Sequence, residues 1–178
     1  NAEHQFNEGR INCLLVVAPK GVHINWVRRE VPKHLSVPHV SDYWKSGIGK
    51  RHLARLERIL REEEGERLVI FAVNVDTFRT PNGKRIVERF LLRFDCMMIV
   101  DESHNIKNST TARNKSIVTY GRLAVSRRIL SGTLVPNLPI DLFGQYEFLR
   151  RGLLRTTSYR SFVAEYAEVL PQSHPWIQ

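Results

Sequence analysis

Four short apolar runs, each ending in a polar loop, constrain this chain more than any other feature. They are "CLLVVAP" (13–19), "RLVIFAV" (67–73), "CMMIV" (96–100) and "RRILSGT" (127–133). Their apolar character is continuous rather than alternating, the pattern of strands buried on both faces. Amphipathic stretches separate them. In 22–35, Ile24, Val27, Val31 and Leu35 recur at three- and four-residue spacing; Leu53, Leu56 and Leu60 do so in 48–64, and Ile86, Phe90 and Phe94 in 83–94. Further helices are predicted at 110–124, 139–150 and 158–169, the second starting near Pro139, which suits a first helical turn. Strand–helix–strand repetition requires parallel strands joined by right-handed crossovers. The predicted fold is therefore α/β: a doubly wound, mostly parallel sheet with helices on both faces. Ligands of such sheets collect beyond the carboxyl ends of the strands. The segments "APKG" (18–21), "NVDTFRT" (74–80), "DESH" (101–104) and "SGT" (131–133) all fall there and would share one edge.

The 178 residues, 42% of them apolar, suit a single domain with a substantial core. No apolar run approaches the length of a membrane span, and no charged-then-apolar leader is present. Cys13 and Cys96 both lie in strand runs and read as reduced core residues, which places the expected location inside the cell. The chain opens at Asn1 without an initiator methionine and is expected to be processed or cut from something longer. Its net charge of +9 is concentrated: between Ser103 and Ala164 ten Lys/Arg face two acids, Asp141 and Glu147. Such a field favours polyanions, nucleic acid among them, although a generally basic surface is an equal reading of charge alone.

Asp101 and Glu102 follow the third run directly. A carboxylate at a strand tip can hold Mg²⁺ through waters, and its neighbour can polarise an attacking water for phosphoryl transfer. Taken alone, the same pair is often only a loop or a helix start, and His104 alone usually satisfies a local hydrogen bond. The histidines are scattered, and no Cys-x-x-Cys or His-Glu-x-x-His spacing suggests zinc.

In combination, "MMIVDESHNIKNSTTARNKSI" and "RRILSGTLVPNLPIDLFGQYEFLRRGLL" resemble motifs II and III of superfamily two helicases, and most closely the Swi/Snf-type translocase ATPases. "LLVVAPKGVHINWVRREVPKHL" (14–35) is similar to their motif Ia, and "VIFAVNVDTFRT" (69–80) to the next strand with motif Ib. The resemblance spans nearly the whole chain in the expected order. It implies an ATP-binding, RecA-like lobe in which Asp101 coordinates the Mg²⁺ of ATP through water and Glu102 activates the hydrolytic water. His104 would link the nucleotide to motif III, where Ser131, Gly132 and Thr133 would couple hydrolysis to movement. Lys20, Asn25, Asn74 and Thr77 would contact the backbone of the tracked strand, with duplex DNA the expected partner. A motor that holds phosphates and sugars rather than base edges can move along any sequence. Trp26 reads as a core aromatic of the 22–35 helix.

Two departures stand out. Leu134 occupies the position where these proteins carry proline after Ser/Thr-Gly-Thr. No Gly-x-x-x-x-Gly-Lys-Ser/Thr occurs; "SGIGKRH" (46–52) is a false echo, with Trp44 in place of the first glycine and Arg51 in place of the hydroxyl. In the family that loop would fall just upstream of Asn1, and the second motor lobe with its arginine finger would follow. The expectation is a single partial lobe over 1–170 with an irregular tail at 171–178, inactive by itself. A non-catalytic nucleic-acid-binding module that keeps the fold is the alternative. A phosphohydrolase using Asp101, Glu102 and His104 would need further ligands, for which the other loops offer only Asp76.

Overall fold

The structure, a computed structural model, describes residues 1–107, 110–133, 138–156 and 158–166. Five strands form one sheet in the order β2-β3-β1-β4-β5: β1 Cys13–Ala18, β2 His39–Trp44, β3 Leu68–Asn74, β4 Cys96–Asp101 and β5 Ser126–Leu130. Every pairing is parallel. The central strands are buried on both faces, which explains their unbroken apolar runs: Leu15, Val17, Phe71, Val73 and Met98 point to one side, and Leu14, Val16, Ile70, Ala72 and Met97 to the other.

The first face is covered by α4 Lys50–Glu62, α5 Pro81–Arg93, α6 Ala112–Gly121 and α7 Leu142–Leu149, which contribute Leu56, Phe90, Ile117 and Phe148. Phe90 stacks on Phe71 at 3.8 Å between ring centroids. The second face is covered by α1 Ala2–Asn7 and a helical run over 22–34. That run consists of α2 Val22–Asn25, a π-helical turn Trp26–Glu30 and α3 Val31–His34. Pro32 accounts for the widened turn: it has no N–H to offer and its ring presses on the carbonyl four residues back, that of Arg28. The last helix among the described residues is α8 Tyr159–Tyr166.

Two differences from the sequence-based expectation have physical causes. β2 was not foreseen, because "HVSDYW" is an edge strand of half-buried residues and lacks the continuous apolar signal. The run 127–133 is strand only to Leu130; Ser131, Gly132 and Thr133 lie beyond the end of β5. The end of the 158–169 helix, Leu134 and the 171–178 tail lie outside the described residues. Cys13 and Cys96 are register partners in β1 and β4, both buried and free. Burial, reinforced by the neighbouring Cys96 thiol, holds the Cys13 thiol protonated well above its ordinary range. No described helix is long and apolar enough to cross a membrane.

Candidate functional site

Parallel pairing brings the four polar segments to one edge. Asp101 is the last residue of β4 and the register partner of Leu130, so the acidic pair lies beside the Ser131 loop. Asn74 ends β3 next to Ala18, the last residue of β1, after which Lys20 stands exposed.

Each Asp101 oxygen has a donor. Oδ1 accepts the backbone N–H of Glu102 at 2.9 Å, and Oδ2 accepts the indole N–H of Trp26 at 2.8 Å. A carboxylate has about four lone-pair sites, so both oxygens keep acceptor capacity after these bonds. The chain reverses sharply at Glu102, whose backbone is left-handed at φ 48°, ψ 58°. For a non-glycine residue this conformation costs on the order of 1–2 kcal/mol and persists only where the surroundings enforce it.

The enforcement is visible in the next four residues. Ser103–Ile106 form a 3₁₀ turn in which Asn105 donates both its backbone N–H and its side-chain amide to the Glu102 carbonyl, each at 2.9 Å. Ser103 is fully buried, and its hydroxyl donates to Oε1 of Gln145, a fully buried residue of α7, at 2.6 Å. Gly144 lets that helix approach, since a Cβ there would overlap the Ile106 carbonyl oxygen. His104 Nδ1 stands 3.2 Å from Glu102 Oε2, with both side chains substantially exposed; the pair is ionic only when the imidazole is protonated.

The remaining predicted residues divide by exposure. Ser131, Gly132 and Thr133 form a small exposed turn, in which the Ser131 hydroxyl donates to the Thr133 carbonyl at 2.7 Å and accepts its N–H at 3.1 Å. Lys20 and Asn25 are exposed, and Asn25 borders a cavity of about 580 Å³ that Trp26 and Asp101 also line. Asn74 instead caps the turn after β3, accepting the Thr77 N–H at 3.1 Å. Thr77 itself is buried, and Gly83 of α5 packs directly against its carbonyl. These two therefore shape a loop more than they present side chains.

Sequence reasoning missed three residues of this site. Ser103 and Gln145 gave no signal because their pairing joins segments 42 positions apart. From sequence Trp26 reads as a core aromatic; its ring does pack on the second face, but its N–H donates to Asp101. Positive charge also gathers outside the 103–164 segment. A cavity of about 1010 Å³ beside the free edge of β2 is lined by Arg28, Arg51, Arg55, Arg58 and Arg61. Buried Asp42 anchors it, accepting from Arg55 at 2.6 and 2.8 Å and lying 2.8 Å from His52.

Comparison with known proteins agrees with this architecture. The solved Sulfolobus solfataricus SWI2/SNF2 ATPase core in complex with dsDNA superposes with a TM-score of 0.63 at 20% identity, covering 93% of this chain and 30% of that one. The Sulfolobus solfataricus SWI2/SNF2 ATPase core domain gives 0.56 at 22% identity, with 93% and 29% covered. Among curated sequences, the DNA excision repair protein ERCC-6-like of Danio rerio is 31% identical over 157 residues, 87% of this chain and 10% of that protein. The human TATA-binding protein-associated factor 172 is 30% identical over 155 residues, 86% and 8% respectively. The chain thus spans about a tenth of the curated relatives. The model of the SNF2-related domain matches residues 2–169, and this chain belongs to that family.

Proposed function

We propose that this chain is part of the first motor lobe of an ATP-driven translocase that tracks duplex DNA. The observation that carries the reading is Asp101 and Glu102 at the tip of β4, beside the Ser131 loop on an all-parallel sheet edge. Hard carboxylate oxygens with spare lone pairs fit a hydrated Mg²⁺, which keeps most of its waters and shares nucleotide phosphates. Bound there with ATP, the ion would neutralise charge developing on the transferred phosphoryl group.

The chain's own residues supply the rest. Asp101, its carboxylate fixed by two neutral donors, would hold the ion through its waters. Glu102, half-exposed and turned out by its left-handed backbone, takes the proton of the attacking water. His104, next to the Glu102 carboxylate, relays its state towards Ser131, Gly132 and Thr133. Lys20 and Asn25 offer exposed side chains to the DNA backbone, and the Asn74–Thr77 turn presents segment 74–80 to the same strand. The lysine and amide cradle for the β- and γ-phosphates would come from elsewhere in the motor, so the chain alone is expected to turn over no ATP.

The test is DNA-stimulated ATP hydrolysis by the complete motor carrying Glu102→Gln. Loss of a general base lowers turnover by about 10²–10⁴-fold. Unchanged turnover refutes the assignment. A parent protein that binds duplex DNA but hydrolyses no ATP would favour the alternative of a non-catalytic nucleic-acid-binding module, which the missing phosphate-loop motif motivates.

A further inference from the structure

Trp26 has more to do than fill the core. Its ring is half-buried against the second face of the sheet, while its N–H crosses to a carboxylate 75 positions away at 2.8 Å. A buried indole needs an acceptor, and a main-chain carbonyl would serve. Here the acceptor is Asp101, the residue at the tip of β4.

The choice of donor matters chemically. An arginine or lysine at this place would fix the carboxylate but also cancel its charge. The indole N–H is neutral and can only donate, so it fixes one oxygen of Asp101 and leaves the full negative charge for a cation. With the Glu102 N–H on the other oxygen, the carboxylate plane is set from two sides. The side facing Trp26 belongs to the helical run 22–34, and the indole is the first residue of its π-turn. Widened turns of this kind recur at functional positions. Immediately before it stands exposed Asn25, which lines the same cavity of about 580 Å³ as Asp101.

Resting on the function proposed above, we infer that Trp26 is a positioning residue for Asp101. It ties the segment 20–25, which faces the nucleic-acid backbone, to the metal end of the nucleotide site. A shift of Asn25 on contact with a phosphate carries the adjacent indole with it, and the indole turns the carboxylate.

The test uses the complete motor with Trp26→Phe, which keeps the ring and removes the donor, and with Trp26→Ala, which removes both. The probe is a fluorescent ADP analogue titrated at a series of Mg²⁺ concentrations, with and without a duplex DNA oligomer. In Trp26→Phe the Mg²⁺ concentration for half-maximal nucleotide binding is expected to rise about tenfold, the usual effect of losing the group that orients a metal ligand. Duplex affinity should stay within about twofold, since phosphate contacts carry it. The effect of the duplex on nucleotide binding should shrink towards none. If only packing matters, Trp26→Phe will match the parent in Mg²⁺ dependence while Trp26→Ala alone is impaired, and the inference fails. A parent protein that binds no Mg²⁺–nucleotide overturns both this inference and the function on which it rests. A parent that binds it normally, with Trp26→Phe unchanged, overturns this one only.

Discussion

Replacing Gly144 with alanine should unseat the acidic loop from a helix outside it. A Cβ at this position would lie 3.1 Å from the Lys107 carbonyl oxygen and 3.3 Å from the Ile106 carbonyl carbon, and it would overlap the Ile106 carbonyl oxygen outright. The obstacle is backbone, so no rotamer change relieves it, and α7 must retreat by about 1 Å to reach ordinary contact. Overpacking of this sort costs about 1–3 kcal/mol. Alanine returns about 1 kcal/mol through its better helix propensity. The retreat also draws Gln145 from Ser103, whose 2.6 Å bond joins two fully buried groups. Depriving the buried Ser103 hydroxyl of this acceptor adds about 1–3 kcal/mol. The expected net loss is about 3 kcal/mol, read as a fall in melting temperature of about 6–12 °C for a chain of this size. Gly132→Ala is the control, because among the described residues nothing lies within 4 Å of a Cβ there; its stability should change by less than about 0.5 kcal/mol. A second comparison isolates the hydrogen bond. Ser103→Ala should destabilise the parent, yet add little to Gly144→Ala, because the bond is already lost. Equal melting of Gly144→Ala and Gly132→Ala would refute the reasoning, and full additivity with Ser103→Ala would show that the loop travels with the helix.

Two further outcomes are expected. The raised Cys13 thiol makes stability fall in alkali: the contribution is complete below the unfolded thiol's pKa of about 8.5 and is lost as pH rises beyond it, because the unfolded chain ionises first. Chemical denaturation from pH 7 to 10 should show this decline, a Cys13→Ala variant should flatten it, and a decline identical in both would exclude Cys13 as its cause. Affinity of the complete motor for duplex DNA should fall linearly in log–log form with salt, at about −0.9 per phosphate neutralised; a flat response between low and physiological salt would contradict a backbone-tracking surface.

The sheet was legible in the sequence because its central strands are buried on both faces. Leu14 through Ala18 and Leu68 through Val73 have no solvent side to interrupt the apolar run. Their shared direction followed from the helices between them, and with it the meeting of four loops at one edge. β2 escaped because an edge strand obeys other rules: Asp42 is buried there not by apolar packing but by a charge clamp from Arg55 and His52 of the following helix. The acidic pair was legible as chemistry, but what fixes it was not. Ser103, Gln145 and Gly144 act through one contact between residues far apart in the chain, and each alone is an ordinary serine, glutamine and glycine. Pro32 did carry a local signal, since a proline ten residues into a helical pattern disturbs the turn before it.

The two carboxylates, though adjacent in sequence, are held by different layers of the fold. Asp101 is fixed from the second face of the sheet, through Trp26 on the helical run 22–34. Glu102 is fixed from the first face, where Ile106 joins the core and Ser103 is bonded to α7. The left-handed backbone of Glu102 itself is the joint. Its strain is sustained only while both layers keep their seats, so a displacement of either changes the angle between the ion-holding and water-activating groups. Chemistry that needs both in register is then sensitive to motion on either side of the sheet, one side reaching Lys20 and Asn25 and the other the helix that follows the Ser131 loop. A site confined to one layer would respond to one of these alone.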